Sequence, residues 1–178
     1  FGHCNAVNNF LISKGKCMIH LVEGDILLSK AHAIAQGVGI NDPMDKGLAL
    51  SLHNLYPAMH KDFHHWCHQH HPESGEAWAW VSAEGKHVIN LITQEGVDSH
   101  DHRHGKATLT NVQHALKALA KIVEQEKFTS LALPRIATGA GGLAWADVLP
   151  LIEKKLGHLD IPVYIYATYH ANQAANEA

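Results

Sequence analysis

The segment with the clearest chemical potential is a glycine-rich run late in the chain, Ala137-Thr138-Gly139-Ala140-Gly141-Gly142-Leu143. Its three glycines let the main chain turn sharply and approach a ligand without interference from side chains. The run separates a predicted strand from a predicted helix, and the amides at a helix N-terminus favour an anion. The glycine spacing matches neither a P-loop nor a GxGxxG fingerprint. The segment therefore predicts either phosphate binding by main-chain amides or a tight strand-to-helix turn without a ligand.

A second glycine-bearing loop lies nearer the start of the chain, at Met44-Asp45-Lys46-Gly47-Leu48. This loop also falls between a predicted strand and a predicted helix. Two such loops could clamp the two phosphates of a pyrophosphate, although Gly47 would also relieve crowding at a helix start. Asp25 follows the first predicted strand, where an acidic residue is ordinarily a turn former or a helix cap.

Histidine is unusually frequent, with seventeen in the chain. His100 and His102 alternate in a polar loop, where they could bind a transition metal or supply an acid or base near neutral pH. His60, His64 and His68 are spaced to share one helix face and could chelate adventitious nickel or zinc. Because no set of cysteines or carboxylates accompanies either group, we interpret most histidines as solvated surface residues. We predict no metal and no cofactor, and keep a histidine-rich metal-binding protein as the remote alternative.

The elements that must position these residues follow from periodicity. Strands are predicted at residues 17–22, 31–38, 77–81, 87–93, 130–136 and 161–167. Helices are predicted after Gly47, along the apolar stripe Met59–Phe63–Trp66, after a Thr108 or Thr110 cap, and over residues 144–156. This alternation predicts an α/β fold, a three-layer α/β/α sandwich with a mixed, mostly parallel central sheet.

Length and composition predict one domain. Of the 178 residues, 46% are hydrophobic and 17% charged, which argues against a disordered chain. No apolar run reaches the roughly 18 residues that span a bilayer, and a net charge of −3 gives no bulk attraction for nucleic acid. Three widely spaced cysteines argue against a disulfide scaffold, so we expect a cytoplasmic protein. We expect residues 1–16 to be an N-terminal extension or an expression remnant, residues 17–170 to form the domain, and residues 171–178 to be a frayed tail.

Three motifs in a fixed order give the chain a resemblance to the macrodomain family. They are Gly24-Asp25-Ile26, the segment Met44 to Ala49, and Pro134-Arg135-Ile136 followed by residues 139–145. Over about residues 17–168 the chain is similar to the branch of terminal ADP-ribose glycohydrolases, DNA ADP-ribosyl glycohydrolase antitoxins and ADP-ribose-1″-phosphate phosphatases. The resemblance implies a macrodomain that binds ADP-ribose or an ADP-ribosylated macromolecule. It implies no membrane partner, and a nucleic acid only where that nucleic acid is itself ADP-ribosylated.

The resemblance also implies a role for each motif. The Asp25 carboxylate would accept the adenine amino hydrogen, with the Ile26 amide nearby. The pyrophosphate and distal ribose would lie along Met44, Lys46, Gly47 and Leu48. The phosphates would be wrapped by the late loop, that is by Thr138, Gly139, Ala140, Gly141, Gly142 and Leu143.

The chain departs from the family at the reacting ribose. Many macrodomains have Asn where this chain has Gly39, glycohydrolases of this branch use Lys where it has Gln94, and some members use Asp where it has Gly142. A nucleophilic lysine needs an amine and a general base needs a titratable group, which glutamine and glycine do not supply. These departures argue against a lysine-dependent glycohydrolase mechanism.

Other groups could replace the missing ones. The candidate catalytic residues are Asp45, His100, His102 and Gln94 itself. Asp45 stands where relatives have Gly and could activate water, or it could be only a helix cap or a ribose hydrogen-bonder. The sequence thus leaves two functions open. One is hydrolysis of an ADP-ribosyl linkage or of ADP-ribose-1″-phosphate, and the other is non-catalytic binding of ADP-ribose or a related nucleotide metabolite.

Overall fold

Six short apolar segments form the strands of one sheet in the computed structural model, which describes residues 18–95 and 105–178. The strands are β1 (Ile19–Gly24), β2 (Ala33–Gly39), β3 (Ala77–Val81), β4 (His87–Gln94), β5 (Leu131–Pro134) and β6 (Val163–Tyr169). The helices are α1 (Gly47–Leu55), α2 (Pro57–His70), α3 (Leu109–Glu126) and α4 (Trp145–Leu156), with a single 3₁₀ turn at Ile26–Leu28. Each predicted strand and helix is therefore found close to its expected place.

The sheet has the strand order β1-β6-β5-β2-β4-β3. The first five strands in this order are parallel to their neighbours, and β3 pairs antiparallel with β4 at one edge. Helices α1 and α2 cover one face, and α3 and α4 cover the other. The prediction of a three-layer α/β/α sandwich with a mixed, mostly parallel sheet is confirmed.

Alternate residues of the central strand β2 supply the two cores. Ala33 and Ala35 face α3 and α4, where Leu116 is fully buried. Ile34 faces the opposite side and joins a cluster that includes Phe63 of α2. Burial of a large apolar side chain contributes about 1.5–3 kcal/mol, so both helical layers stabilise the sheet.

Local signals set the helix ends. The Thr108 side chain accepts a hydrogen bond from the Asn111 amide at 3.1 Å, which selects Thr108 over Thr110 as the cap of α3. Pro57 occupies the first turn of α2, where its missing N–H costs nothing, and it separates α2 from α1. Across residues 18–95 and 105–178, no helix has both the length and the apolar character that crossing a bilayer requires.

The C-terminal residues differ from expectation, because they are docked and not frayed. The Gln173 carbonyl accepts a hydrogen bond from the Asp25 amide at 2.7 Å. The Glu177 carboxylate accepts hydrogen bonds from the hydroxyls of Ser29 and Tyr166, each at 2.7 Å. Asp25 and Ser29 are far from these residues in sequence, and a polar segment without periodicity does not predict such contacts.

Candidate functional site

The ends of the parallel strands create the candidate site. Because β1, β6, β5, β2 and β4 all run the same way, their C-terminal residues Gly24, Tyr169, Pro134, Gly39 and Gln94 lie along one edge of the sheet. Ligands of open α/β sheets bind in the crevice outside this edge. A cavity of about 410 Å³ lies there, between the β1 end, the start of α1 and the ends of β5 and β6. Its lining includes Asp25, Ile26, Gly47, Leu48, Pro134 and Tyr169.

Asp25 is both a turn residue and part of the cavity wall. One carboxylate oxygen accepts the Leu27 amide at 3.0 Å, which caps the 3₁₀ turn, and the other accepts the Asn172 amide at 3.1 Å. The residue is 6% exposed. A carboxylate has about four acceptor positions, so capacity remains for a donor in the cavity. The turn-former interpretation and the ligand-contact interpretation are thus compatible.

The loop between β2 and α1 is shaped by Asp42, which is not among the residues predicted for the site. Its carboxylate oxygens accept the Gly39 amide at 2.9 Å and the Met44 amide at 2.8 Å. Asn41 and Met44 both have left-handed φ angles, 54° and 51°. The sequence Asn-Asp-Pro is typical of such a side-chain-stabilised turn and could have revealed it.

The structure divides the predicted residues of this loop into two groups. Met44 is fully buried in the core beneath α1, so its side chain cannot reach a ligand. Asp45, Lys46 and Gly47 are exposed, and Leu48 is half-buried in the cavity wall. No side chain caps the start of α1, and Gly47 and Leu48 line the cavity. The N-terminus of α1 therefore lies at the cavity, where its amides favour an anion.

The late glycine loop turns tightly between β5 and α4. The Gly142 amide donates to the Gly139 carbonyl at 3.1 Å and the Leu143 amide to the Ala137 carbonyl at 3.0 Å. A Cβ at Gly141 would lie 2.6 Å from the Ala137 carbonyl oxygen, so only glycine fits this turn. The tight-turn interpretation therefore accounts for part of the glycine pattern.

This geometry limits which amides of the loop can meet a ligand. Those of Gly142 and Leu143 are used inside the turn, whereas within the described ranges no main-chain bond is made by the amides of Thr138, Gly139, Ala140 and Gly141. Gly139 and Ala140 are exposed, and Gly141 is buried. The 410 Å³ cavity ends at Pro134 and does not include this loop. Since β2 and β5 are neighbours, the α1 loop and the glycine loop leave the same edge of the sheet side by side.

At the far end of this edge, Gly39 and Gln94 are direct partners in the sheet register. Gln94 is 5% exposed, and its side-chain amide donates to the Gly105 carbonyl at 3.4 Å. The next residue, Glu95, is exposed and accepts hydrogen bonds from Asn111 at 2.9 Å and Ser74 at 3.3 Å. Gln94 thus joins the end of β4 to the segment that follows. The candidates His100 and His102 lie outside the described residues.

Three histidines stack behind the α1 loop, in a different combination from the predicted one. His60 stacks on His53 with ring centroids 3.9 Å apart and contacts His64 at 4.2 Å, whereas His68 is exposed. A His64 ring nitrogen donates to the Asp42 carbonyl at 2.8 Å. Burial, followed by the neighbouring His64 and His53, lowers the pKa of His60. Among the described residues, no group of three or more His, Cys, Asp or Glu side chains is arranged to hold a metal ion.

Comparison with known proteins gives consistent matches. A family model described as Macro domain matches residues 4–152. A DNA ADP-ribosyl transferase-DNA ADP-ribosyl glycohydrolase fusion protein of Thermosipho africanus is 27% identical over 160 residues, which cover 83% of this chain and 41% of the relative. The human ADP-ribose glycohydrolase OARD1 is 26% identical over 149 residues, which cover 83% of this chain and 90% of the relative. The chain spans about two fifths of the length of the first curated relatives that it matches.

Solved structures agree with these sequence matches. The macrodomain of Thermus aquaticus DarG superimposes with a TM-score of 0.73 at 24% identity, covering 84% of this chain and 98% of that chain, a likeness that shows the fold alone. Thermosipho africanus DarTG in complex with ADP-ribose superimposes with a TM-score of 0.72 at 26% identity, covering 85% of this chain and 41% of that chain.

Proposed function

Because the chain belongs to the macrodomain family, we propose that its cleft binds ADP-ribose, either free or as the terminal group of a modified macromolecule. One observation carries this proposal. A buried carboxylate, Asp25, and the uncapped N-terminus of α1 line the same cavity, which suits a ligand with a nitrogenous base at one end and phosphates beside it. The cavity volume of about 410 Å³ lies within the usual range for small-molecule sites.

The proposed pose follows the chemistry of the walls. The free acceptor positions of Asp25 take the amino group of the adenine, and the Ile26 amide lies beside the ring. The pyrophosphate meets the positive end of the α1 dipole and the unbonded amides of residues 138–141. Lys46, exposed at the start of α1, adds a cation near the phosphates. The distal ribose then points toward Gly39 and Gln94.

Binding without lysine-dependent hydrolysis is the function that the site supports best. At the proposed reacting end, Gln94 offers a neutral amide that is already bonded to Gly105, and Gly142 offers no side chain. A group that must deliver or remove a proton near neutral pH needs a titratable atom. We therefore propose a domain that recognises ADP-ribosylated macromolecules, including ADP-ribosylated DNA or protein. The cysteine pattern favours the reducing cytoplasm as its location.

Titration calorimetry with ADP-ribose tests the proposed binding. We expect saturable binding by the unaltered chain, and loss of most of that binding in Leu48→Glu, which places a carboxylate in the cavity wall beside the proposed phosphates. Leu55→Glu is the matched control, since Leu55 lies at the other end of the same helix and is 52% exposed. Absence of binding at millimolar ADP-ribose, or equal losses in the two variants, would contradict the proposal.

A second candidate function is hydrolysis with Asp45 as the general base. It is favoured by the exposure of the Asp45 carboxylate at the start of α1 and by glycohydrolases among the relatives. The chain is incubated with ADP-ribosylated DNA, ADP-ribosylated protein and ADP-ribose-1″-phosphate. Turnover that disappears in Asp45→Asn while ADP-ribose binding persists would support this candidate. No turnover of any of the three substrates would leave the binding function alone.

A further inference from the structure

The C-terminal segment folds back over the turn that carries Asp25. We call residues 170–177 the strap. The His170 amide donates to the Gly24 carbonyl at 3.1 Å, and the Asp25 amide donates to the Gln173 carbonyl at 2.7 Å. Between these two bonds, the Asn172 amide donates to the Asp25 carboxylate at 3.1 Å. The strap thus binds the main chain of the turn and the side chain of Asp25 together.

Glu177 anchors the far end of the strap. One carboxylate oxygen accepts the Ser29 and Tyr166 hydroxyls, each at 2.7 Å, and the other accepts the Lys30 amide at 2.8 Å. The Glu177 carbonyl accepts the Tyr164 hydroxyl at 2.7 Å. Hydrogen bonds to a carboxylate are roughly twice as strong as neutral ones. A single side chain therefore fastens the strap to β6 and to the segment after the 3₁₀ turn.

The surroundings of Glu177 support a stable anchor. Burial, and then the Glu177 carboxylate, raise the pKa of the Tyr166 phenol, so this hydroxyl stays protonated and donates. The Lys86 ammonium donates to the carbonyls of Ser29 and Ala31 at 2.7 and 2.6 Å, which fixes the segment on which Glu177 docks. Its positive charge also acts favourably on Glu177.

The absence of a side chain at Gly24 leaves room for the main chain of the strap. A Cβ at this position would lie 2.7 Å from the Gln173 carbonyl oxygen and 2.9 Å from the Ala175 nitrogen. The φ angle of 151° also disfavours a side chain. The main chain of the strap occupies the space that only glycine leaves open, so the turn and the strap fit each other closely.

We propose that the strap fixes the orientation of the Asp25 carboxylate, and that Glu177 is thereby a positioning residue for purine selectivity. This inference rests on the proposed function and deepens it. Two amides from different elements, Leu27 and Asn172, hold the two carboxylate oxygens, and the strap supplies the second amide. A fixed carboxylate favours a purine with an amino group at C6 and repels one with a carbonyl oxygen there. A loosened carboxylate turns away and discriminates less.

The test compares the affinities for ADP-ribose and for inosine diphosphate ribose, in which a carbonyl replaces the amino group. We expect the unaltered chain to prefer ADP-ribose, and Glu177→Ala to reduce that preference by about fivefold to tenfold. This is less than the roughly tenfold to hundredfold that one hydrogen bond to a charge contributes, because the Leu27 amide still holds one oxygen of Asp25. Glu177→Gln keeps one acceptor oxygen and should retain more of the preference. Glu126→Ala, at an exposed glutamate on α3, is the matched control.

The ratio of the two affinities distinguishes loss of the Asp25 orientation from a general loss of structure, because a general loss of structure weakens the binding of both ligands equally. Gly24→Ala displaces the strap from the other side and should lower the ratio as well, without adding to Glu177→Ala in the double variant. An unchanged ratio in Glu177→Ala, or equal weakening of both ligands, would overturn the inference while leaving ADP-ribose binding in place. Failure of the unaltered chain to bind ADP-ribose would overturn the proposed function and the inference together.

Discussion

The two ends of the strand edge are built differently. At the β1 and β6 end, Asp25 is held by amides from two elements, and the strap and the 3₁₀ turn enclose it. At the β2 and β4 end, Gly39 and Gln94 are partners in the sheet register, and the buried neutral amide of Gln94 donates to the Gly105 carbonyl. The first end presents a charged acceptor to a cavity, and the second presents no ionised side chain from these two residues.

This contrast distinguishes the requirements for binding a ligand from the requirements for hydrolysing it. A site that only binds needs donors and acceptors in fixed positions, whereas a site that hydrolyses must also move a proton or supply a nucleophile. The Asp25 end meets the first requirement without help from the Gln94 end. We therefore expect substitutions at the Asp25 end to change affinity, and substitutions at the Gln94 end to change stability.

The largest effect is expected at Asp25. Asp25→Ala removes a charged acceptor, so affinity for ADP-ribose should fall by about tenfold to a hundredfold. It also removes the cap of the 3₁₀ turn and the partner of Asn172, so the thermal midpoint should fall. Calorimetry and thermal unfolding measure the two effects.

Asp25→Asn separates the effects, because its remaining oxygen can still cap the turn. We expect it to recover stability more than affinity. Asp160→Ala, at an exposed aspartate, serves as the control. An affinity unchanged in Asp25→Ala would show that the purine end lies elsewhere.

Much of the fold was predictable from the sequence because it depends on local patterns. Apolar runs located the six strands, and the Met59–Phe63 spacing located the buried face of α2. Two loops that clamp one pyrophosphate must lie close together. The strands before the α1 loop and the glycine loop are parallel neighbours, so the two loops start side by side.

The parts that were not predicted depend on the shape of one turn and on contacts between separate elements of the fold. Met44 lies in a segment predicted to bind the ligand, yet its side chain is buried, because Asp42 turns the main chain and directs the Met44 side chain inward. Glu177 lies in a polar tail and reveals its anchoring role only beside Tyr166 and Ser29. The stacking of His53 on His60 joins two helices, so a helical spacing rule applied within α2 alone could not find it.

A smaller effect on affinity is expected at Lys46, between the two ends. Lys46→Glu reverses a charge at the positive end of α1, and we expect affinity for ADP-ribose to fall by about threefold to tenfold at low salt. The loss should shrink as salt rises, because exposed charges are screened. Lys121→Glu, at an exposed lysine on α3, should leave the affinity unchanged. A loss that does not depend on salt would argue against an electrostatic role.

Gln94 should affect stability more than binding. Gln94→Ala removes a buried side chain and its bond to the Gly105 carbonyl, so the free energy of unfolding should fall by about 1–2 kcal/mol in urea titrations. Affinity for ADP-ribose should stay within about twofold of the unaltered chain, a change of under 0.5 kcal/mol, because the Gln94 side chain is engaged with Gly105. A large loss of affinity at constant stability would place Gln94 in contact with the ligand and remove the contrast between the two ends.

The smallest effect on binding is expected at the histidine stack behind the α1 loop. His60 packs against His53 and His64, with Asp42 and the Pro43 main chain nearby, and burial first, then the two histidines, lower its pKa. The unfolded chain, with the ordinary pKa near 6.5, therefore binds a proton more readily than the folded chain. The stability that neutral His60 contributes is fully present above about pH 6.5 and is lost as pH falls toward the lowered pKa.

Urea midpoints at pH 7 and pH 5 should differ less in His60→Phe than in the exposed-site control His68→Phe, with ADP-ribose affinity at pH 7 unchanged in both. An equal pH dependence in the two variants would mean that His60 is protonated as readily in the folded chain as in the unfolded chain.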